Sequence, residues 1–155
     1  MTIDLNPDFI DLLLELDRCQ AEFVIVGGYA VAVHGHPRAT KDLDIFVRRS
    51  AENAARVFEA LASFGAPLAA FAVKEEDFVK PGGILQLGIA PARIDIINTI
   101  DGIDFDEAIH ERLFIDLQGH EIPVIGLEAL IKNKTSSARP QDLADVAALT
   151  AKRDR

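Results

Sequence analysis

The stretch FVIVGGYAVAVHGHPRATKDLDIFV, residues 23–47, decides how this chain folds. The apolar run over 22–26 reads as a buried strand. Gly27 and Gly28 then make a turn, and 29–35 reads as a short helix ending near Gly35. Residues 42–48 read as a second strand. Strand side chains alternate between faces. With Leu43 and Ile45 facing a core, Asp42 and Asp44 share the opposite face. Two ionised carboxylates that close raise each other's pKa and oppose folding. A divalent cation reverses that sign, and an all-oxygen site suits Mg²⁺. The alternative is a solvated strand face near a sheet edge.

The glycines bear on that choice. Between a buried strand and a helix they leave backbone N–H groups free at a helix start, which is a natural phosphate cradle. No Gly-Lys-Ser/Thr follows, so this is not a Walker A loop, and Gly-x-Gly-x-x-Gly is absent too. Taken alone, the glycine pair is equally a packed turn where no side chain fits. Taken with Asp42 and Asp44 on the next strand, it places a phosphate cradle beside a metal clamp.

Outward from this stretch, helix and strand signals alternate. Residues 6–20 read as a helix capped by Asn6, started by Pro7 and striped by Phe9, Leu12, Leu13 and Leu16. Residues 50–65 read as another, capped by Ser50, lined by Val57, Leu61 and Phe64, and stopped by Gly65. Residues 66–82 resist placement, with Glu75, Glu76 and Asp77 expected in solvent. The runs at 83–89 and 92–98 predict a hairpin around Ala90–Pro91, and 113–125 predicts a second one turning at Gln118–Gly119. A short helix falls between the hairpins, and two follow them: 127–137, with Leu127, Leu130 and Ile131 inward, and 140–151. The order predicts an α/β (α+β) fold, with helices packed on a mixed central sheet. One domain over 1–155 is expected.

Composition narrows the function. The formal net charge is −9 and no lysine/arginine block occurs, which argues against extended duplex binding by this chain alone. A small anion bound through metal remains compatible with that charge. No apolar run reaches the length of a membrane span, and the N-terminus lacks the pattern of a signal peptide. The one cysteine, Cys19, excludes an internal disulfide and fits a reducing cytoplasm.

The segment VGGYAVAVHGHPRATKDLDIFV resembles the signature of the nucleotidyltransferase superfamily, the polymerase-β-like fold. That signature runs Gly-Gly or Gly-Ser at a helix start, Asp-x-Asp on the next strand, and a third carboxylate on a later strand. The Arg38-x-Thr40-x-Asp42-x-Asp44 form looks most like the small bacterial branch that includes AbiEii-type toxins of toxin–antitoxin systems. The tail LEALIKNKTSSARPQDLADVAAL is similar to that branch's ending, a lysine helix followed by Arg-x-x-Asp-x-x-Asp.

The resemblance implies a metal-dependent transfer of a nucleoside monophosphate from an NTP to a hydroxyl acceptor. It implies two Mg²⁺ ions on Asp42, Asp44 and a third acid, for which Asp95 is the candidate. Asp95 lies mid-strand among Ile94, Ile96 and Ile97, where an unpaired carboxylate is costly. Its alternative role is a salt bridge to a nearby arginine. Gly27, Gly28, Arg38, Thr40 and Lys132 are the expected nucleotide-binding residues, and an antitoxin is an implied partner.

Gly28 stands where many members carry serine, so backbone N–H groups must do more of the phosphate binding. The acceptor, whether RNA, protein or small molecule, stays open. So does a non-catalytic nucleotide-binding or regulatory module of the same fold, and a plain acidic interaction domain.

Arg139, Asp142 and Asp145 share one helix face and are expected to organise the last helix against the site. His34 and His36 lack zinc spacing and read as loop residues, and Tyr29 is expected to pack in the helix after the glycines.

Overall fold

The computed structural model describes residues 5–37, 40, 42–89 and 92–155. Helix α1 (Pro7–Arg18) starts where Asn6 Oδ1 accepts the Asp8 N–H at 2.8 Å, with Pro7 at a position that needs no donor. Its stripe of Phe9, Leu12, Leu13 and Leu16 is fully buried. Strand β1 (Phe23–Val26) runs directly into α2 (Gly27–Val33), followed by β2 (Leu43–Val47) and α3 (Ala51–Phe64). Ser50 Oγ caps α3 by accepting the Asn53 N–H at 3.1 Å, and Gly65 ends it in the left-handed region at φ 94°.

The stretch 66–82, unplaced from sequence, contains a 3₁₀ turn, Glu75–Phe78, anchored by buried Phe78. Strands β3 (Ile84–Leu87) and β4 (Ile94–Ile97) pair as the expected antiparallel hairpin; Ala90 and Pro91 lie outside the described residues. After α4 (Phe105–Ile109), β5 (Leu113–Leu117) and β6 (His120–Val124) form the second hairpin. Its turn residues Gln118 and Gly119 both have positive φ, 53° and 84°, as a two-residue hairpin turn matching the sheet twist requires. Helices α5 (Leu127–Ser137) and α6 (Pro140–Arg153) pack on each other.

The six strands form one mixed sheet in the order β3-β4-β2-β1-β6-β5. The hairpins are antiparallel, as is β1 with β2, whereas β2 with β4 and β1 with β6 are parallel. On β2, Leu43, Ile45 and Val47 are fully buried. Asp44 and Phe46 take the other face, where Phe46 meets Phe105 of α4 edge-on at 5.3 Å between ring centroids. Among the described residues no helix is long and apolar enough to cross a membrane.

Candidate active site

Strand alternation makes the site and strand register completes it. β1 pairs with β2 so that Val26 lies opposite Asp44, which sets Gly27 beside the Asp44 side chain. β4 pairs with β2 in parallel so that Asp95 lies opposite Asp44. Neighbouring strands are about 4.8 Å apart, so the two carboxylates stand side by side. Asp42 lies one residue before β2 and Arg93 one before β4, on the same faces as Asp44 and Asp95. Asp42, Asp44, Asp95 and an arginine therefore lie on one sheet face.

Gly27 is the glycine that the geometry requires. It has φ 71°, and a Cβ there would collide with the Asp44 carboxylate. No separate turn precedes α2: Gly27 is its first residue, and Gly28 is a buried helical position. The start of α2 has no side-chain cap, so its first N–H groups are not taken up by a capping side chain. Thr40 is half-buried in the connection to β2, and Arg38 lies outside the described residues.

Arg93 was not singled out from sequence. Its Nη2 is 2.9 Å from Asp42 Oδ2 and donates to Asp95 Oδ2 at 3.3 Å. Its Nε lies 3.1 Å from Asp95 Oδ1, close enough to attract but off the line a hydrogen bond needs. Asp42 Oδ1, Asp95 Oδ1 and Arg93 Nε are buried atoms without a hydrogen-bond partner. The salt bridge weighed for Asp95 thus exists, and Asp42 shares it. A signal was present: Arg93 is two residues before Asp95 and so faces the same way.

Burial, followed by the charges of Asp95 and Asp42, pushes the Asp44 carboxyl up to about 7, with Arg93 pulling the other way. A carboxyl so placed gains most from a second cation. The donors fit Mg²⁺ in kind, being carboxylate oxygens, two of them buried and without a hydrogen-bond partner. As the side chains stand, no three acidic, histidine or cysteine groups among the described residues converge on a metal position. The guanidinium of Arg93 lies between Asp42 and Asp95, where an ion joining them would have to sit.

The opposite wall comes from α5 and α6. A cleft of about 390 Å³ runs from Gly27 and Asp44 along Ile97 and Thr99 to Lys134, Arg139 and Asp142. Lys134 is 4% exposed and bridges Asp142 Oδ1 at 3.1 Å and Asp145 Oδ2 at 2.9 Å. Arg139 Nε donates to Asp142 Oδ2 at 2.7 Å, and the Arg139 N–H donates to the same oxygen at 3.2 Å. Burial opposes ionisation of Asp142, yet the donors Arg139 and Lys134 outweigh it and hold the carboxyl well below its ordinary value.

Lys132, the lysine expected to face phosphate, is exposed and pairs with Glu107 of α4 at 2.7 Å. The structure puts Lys134 at the cleft instead. The helical period contains this answer: Lys134 continues the inward stripe of Leu130 and Ile131, and Lys132 turns away from it.

His34 Nε2 donates to the Ile125 carbonyl at 2.7 Å, and burial holds its pKa down. It therefore closes the end of α2 rather than serving as a ligand. Tyr29 packs edge-on against Phe9 at 5.8 Å. A roomier groove of about 470 Å³ follows β3 past Phe71 and Ile84, but among the described residues its ionisable lining is Asp77 and Lys80 alone. Asp77 already accepts the Lys74 N–H at 2.8 Å.

The fold is that of the nucleotidyltransferases. A candidate nucleotidyltransferase of Thermotoga maritima superposes with a TM-score of 0.55 at 17% identity, over 97% of this chain and 94% of that one. An antigenic nucleotidyltransferase-like protein of Paracoccidioides brasiliensis gives 0.54 at 13% identity, over 94% and 77%. No curated protein matches the chain in sequence. Residues 7–152 match the family described as "Nucleotidyltransferase of unknown function (DUF6036)", and the chain belongs to that family.

Proposed function

We propose that this chain transfers a nucleoside monophosphate from an NTP to a hydroxyl acceptor, with Asp42, Asp44 and Asp95 as the catalytic acids. The observation that supports it is the placing of these three carboxylates on one sheet face, with Asp44 beside Gly27 and lining a cleft large enough for a ligand. Asp42, Asp44 and Asp95 would hold Mg²⁺, which supplies the positive charge that the triphosphate and the departing pyrophosphate need. Gly27 leaves room beside Asp44 for phosphate at the uncapped start of α2.

Lys134 and Arg139 bring two cations to the far wall, fixed in place by Asp142 and Asp145. In the transfer, an acceptor hydroxyl oxygen bonds to the α-phosphorus as the bond to the bridging oxygen breaks. Asp95 takes the hydroxyl proton and pyrophosphate leaves. Positioning and charge stabilisation carry most of the rate enhancement.

The Arg38-x-Thr40-x-Asp42-x-Asp44 order and the Lys134 helix followed by Arg139-x-x-Asp142-x-x-Asp145 support a finer reading as an AbiEii-like toxin component, restrained in a reducing cytoplasm by a partner antitoxin. A second reading, a nucleotide-binding module without catalysis, is favoured by Arg93, which already engages two of the three acids.

The deciding experiment incubates the protein with each α-³²P-labelled NTP, Mg²⁺, and total RNA or protein extract. Label transferred by the parent and lost in Asp44→Asn and Asp95→Asn supports the transferase. Tight Mg²⁺–NTP binding with no transfer to any acceptor class supports the module. Neither binding nor transfer removes both.

A further inference from the structure

We infer that Arg93 is an internal counter-cation that occupies the acid face in the metal-free protein and is displaced when a divalent cation binds. The inference rests on the proposed reading of Asp42, Asp44 and Asp95 as metal-holding acids. It goes beyond that reading by assigning a competing group from the chain itself.

The geometry of Arg93 is not that of a built structural salt bridge. A structural arginine between two carboxylates offers its donors in matched pairs and leaves no acceptor bare. Here one nitrogen, Nη2, serves both Asp42 and Asp95. Nε faces Asp95 Oδ1 without forming a hydrogen bond, and Asp42 Oδ1 and Asp95 Oδ1 have no hydrogen-bond partner at all. The arginine is held by the field of the acids more than by fitted hydrogen bonds, so a stronger cation can replace it.

The guanidinium also has somewhere to go. The Arg93 side chain is 35% exposed, against 14% for Asp95, so its outer atoms already reach solvent. Only its side chain has to move, because the Arg93 carbonyl accepts the Leu43 N–H at 3.0 Å and the adjoining β4 is paired with both β2 and β3.

Occupancy of the site by an arginine has a consequence for loading. A bare divalent ion must compete with a tethered positive charge for the same oxygens. An ion arriving with a triphosphate meets less opposition, because the phosphates supply negative charge for the displaced guanidinium. Arg93 thereby makes the site poor at holding metal alone and better at holding metal with nucleotide.

The test is calorimetric titration of the full chain with Mn²⁺ alone, comparing the parent with Arg93→Gln and Arg93→Lys. Removing the charge is expected to tighten Mn²⁺ binding about tenfold. Arg93→Lys, which keeps the charge, is expected to stay near the parent. Equal or weaker Mn²⁺ binding by a folded Arg93→Gln overturns the inference.

Circular dichroism in EDTA covers failure to fold: a variant unfolded in EDTA and refolded by Mn²⁺ supports the inference, and one that stays unfolded overturns it. A Mn²⁺–ATP titration separates this inference from the reading beneath it. If the parent binds Mn²⁺–ATP and Arg93→Gln gains nothing for Mn²⁺, only the counter-cation role falls. If neither protein binds Mn²⁺ with or without ATP, both fall.

Discussion

Two clusters of acids and bases face each other across the cleft, and they are built differently. At the C-terminal wall Lys134 and Arg139 meet Asp142 and Asp145, two charges of each sign. Asp142 accepts hydrogen bonds on both oxygens, and its carboxyl is held down. On the sheet, among the described residues, Asp42, Asp44 and Asp95 meet Arg93, two buried carboxylate oxygens lack hydrogen-bond partners, and Asp44 is pushed up to about 7. A balanced cluster stabilises the fold by itself. An unbalanced one is complete only when something positive arrives, and that is how a binding site differs from a structural network.

The largest expected effect breaks the balanced cluster. Lys134→Met takes Lys134 from two buried carboxylates, of which Asp142 keeps Arg139, and is expected to cost about 3–5 kcal/mol in chemical denaturation. A loss below about 1 kcal/mol would mean that solvent reaches the cluster and that the contrast between the walls is weaker than drawn.

Gly27→Val comes next. Its φ of 71° disfavours any β-branched residue, and the new side chain meets the Asp44 carboxylate. Stability is expected to fall by roughly 1–2 kcal/mol for the left-handed backbone, and Mg²⁺–ATP affinity to disappear in calorimetry. A folded variant that keeps full affinity would show that phosphate does not approach Gly27.

Asp44→Asn and Asp142→Asn form the sharpest pair, because their effects should differ in sign. The Asp44 pKa is raised on folding, so its stabilising contribution is present below about 4 and is lost as pH rises through about 7. In EDTA, Asp44→Asn should therefore melt level with the parent at low pH and a few degrees above it at pH 8. The Asp142 pKa is lowered, so its contribution is present above its ordinary value and is lost as pH falls. Asp142→Asn should melt well below the parent at pH 8 and approach it in acid. Melting curves from about pH 2 to 8 check both, since the Asp142 contribution fades only below its ordinary carboxylate range, and a lower melting point for Asp44→Asn at pH 8 would make the acid face structural.

The smallest effect belongs to Lys132→Ala. Its partner Glu107 is solvent-facing and the pair lies outside the lining of the cleft. Melting temperature and Mg²⁺–ATP affinity should both match the parent within error. A clear loss of nucleotide affinity would return Lys132 to the site.

Much of this was readable from local pattern. The Asn6 and Ser50 caps, the stop at Gly65, both hairpins and the shared face of Asp42 and Asp44 depend on neighbours a few residues away. Lys134 was readable too, from the stripe it shares with Leu130 and Ile131, although the resemblance had pointed to Lys132. The start of α2 was misread as a turn because two glycines signal a break, and only Gly27 has the positive φ.

The sequence by itself determined which residues could share a face, because periods of 2 and 3.6 are properties of a single strand or helix. It determined that Asp42 and Asp44 stand together and that Asp95 belongs mid-strand. Only the tertiary structure decided that β4 lies parallel to β2 in the register that sets Asp95 beside Asp44 and brings Arg93 to Asp42. A parallel pairing across a long connection is chosen by the packing of the whole sheet, and no local period encodes it.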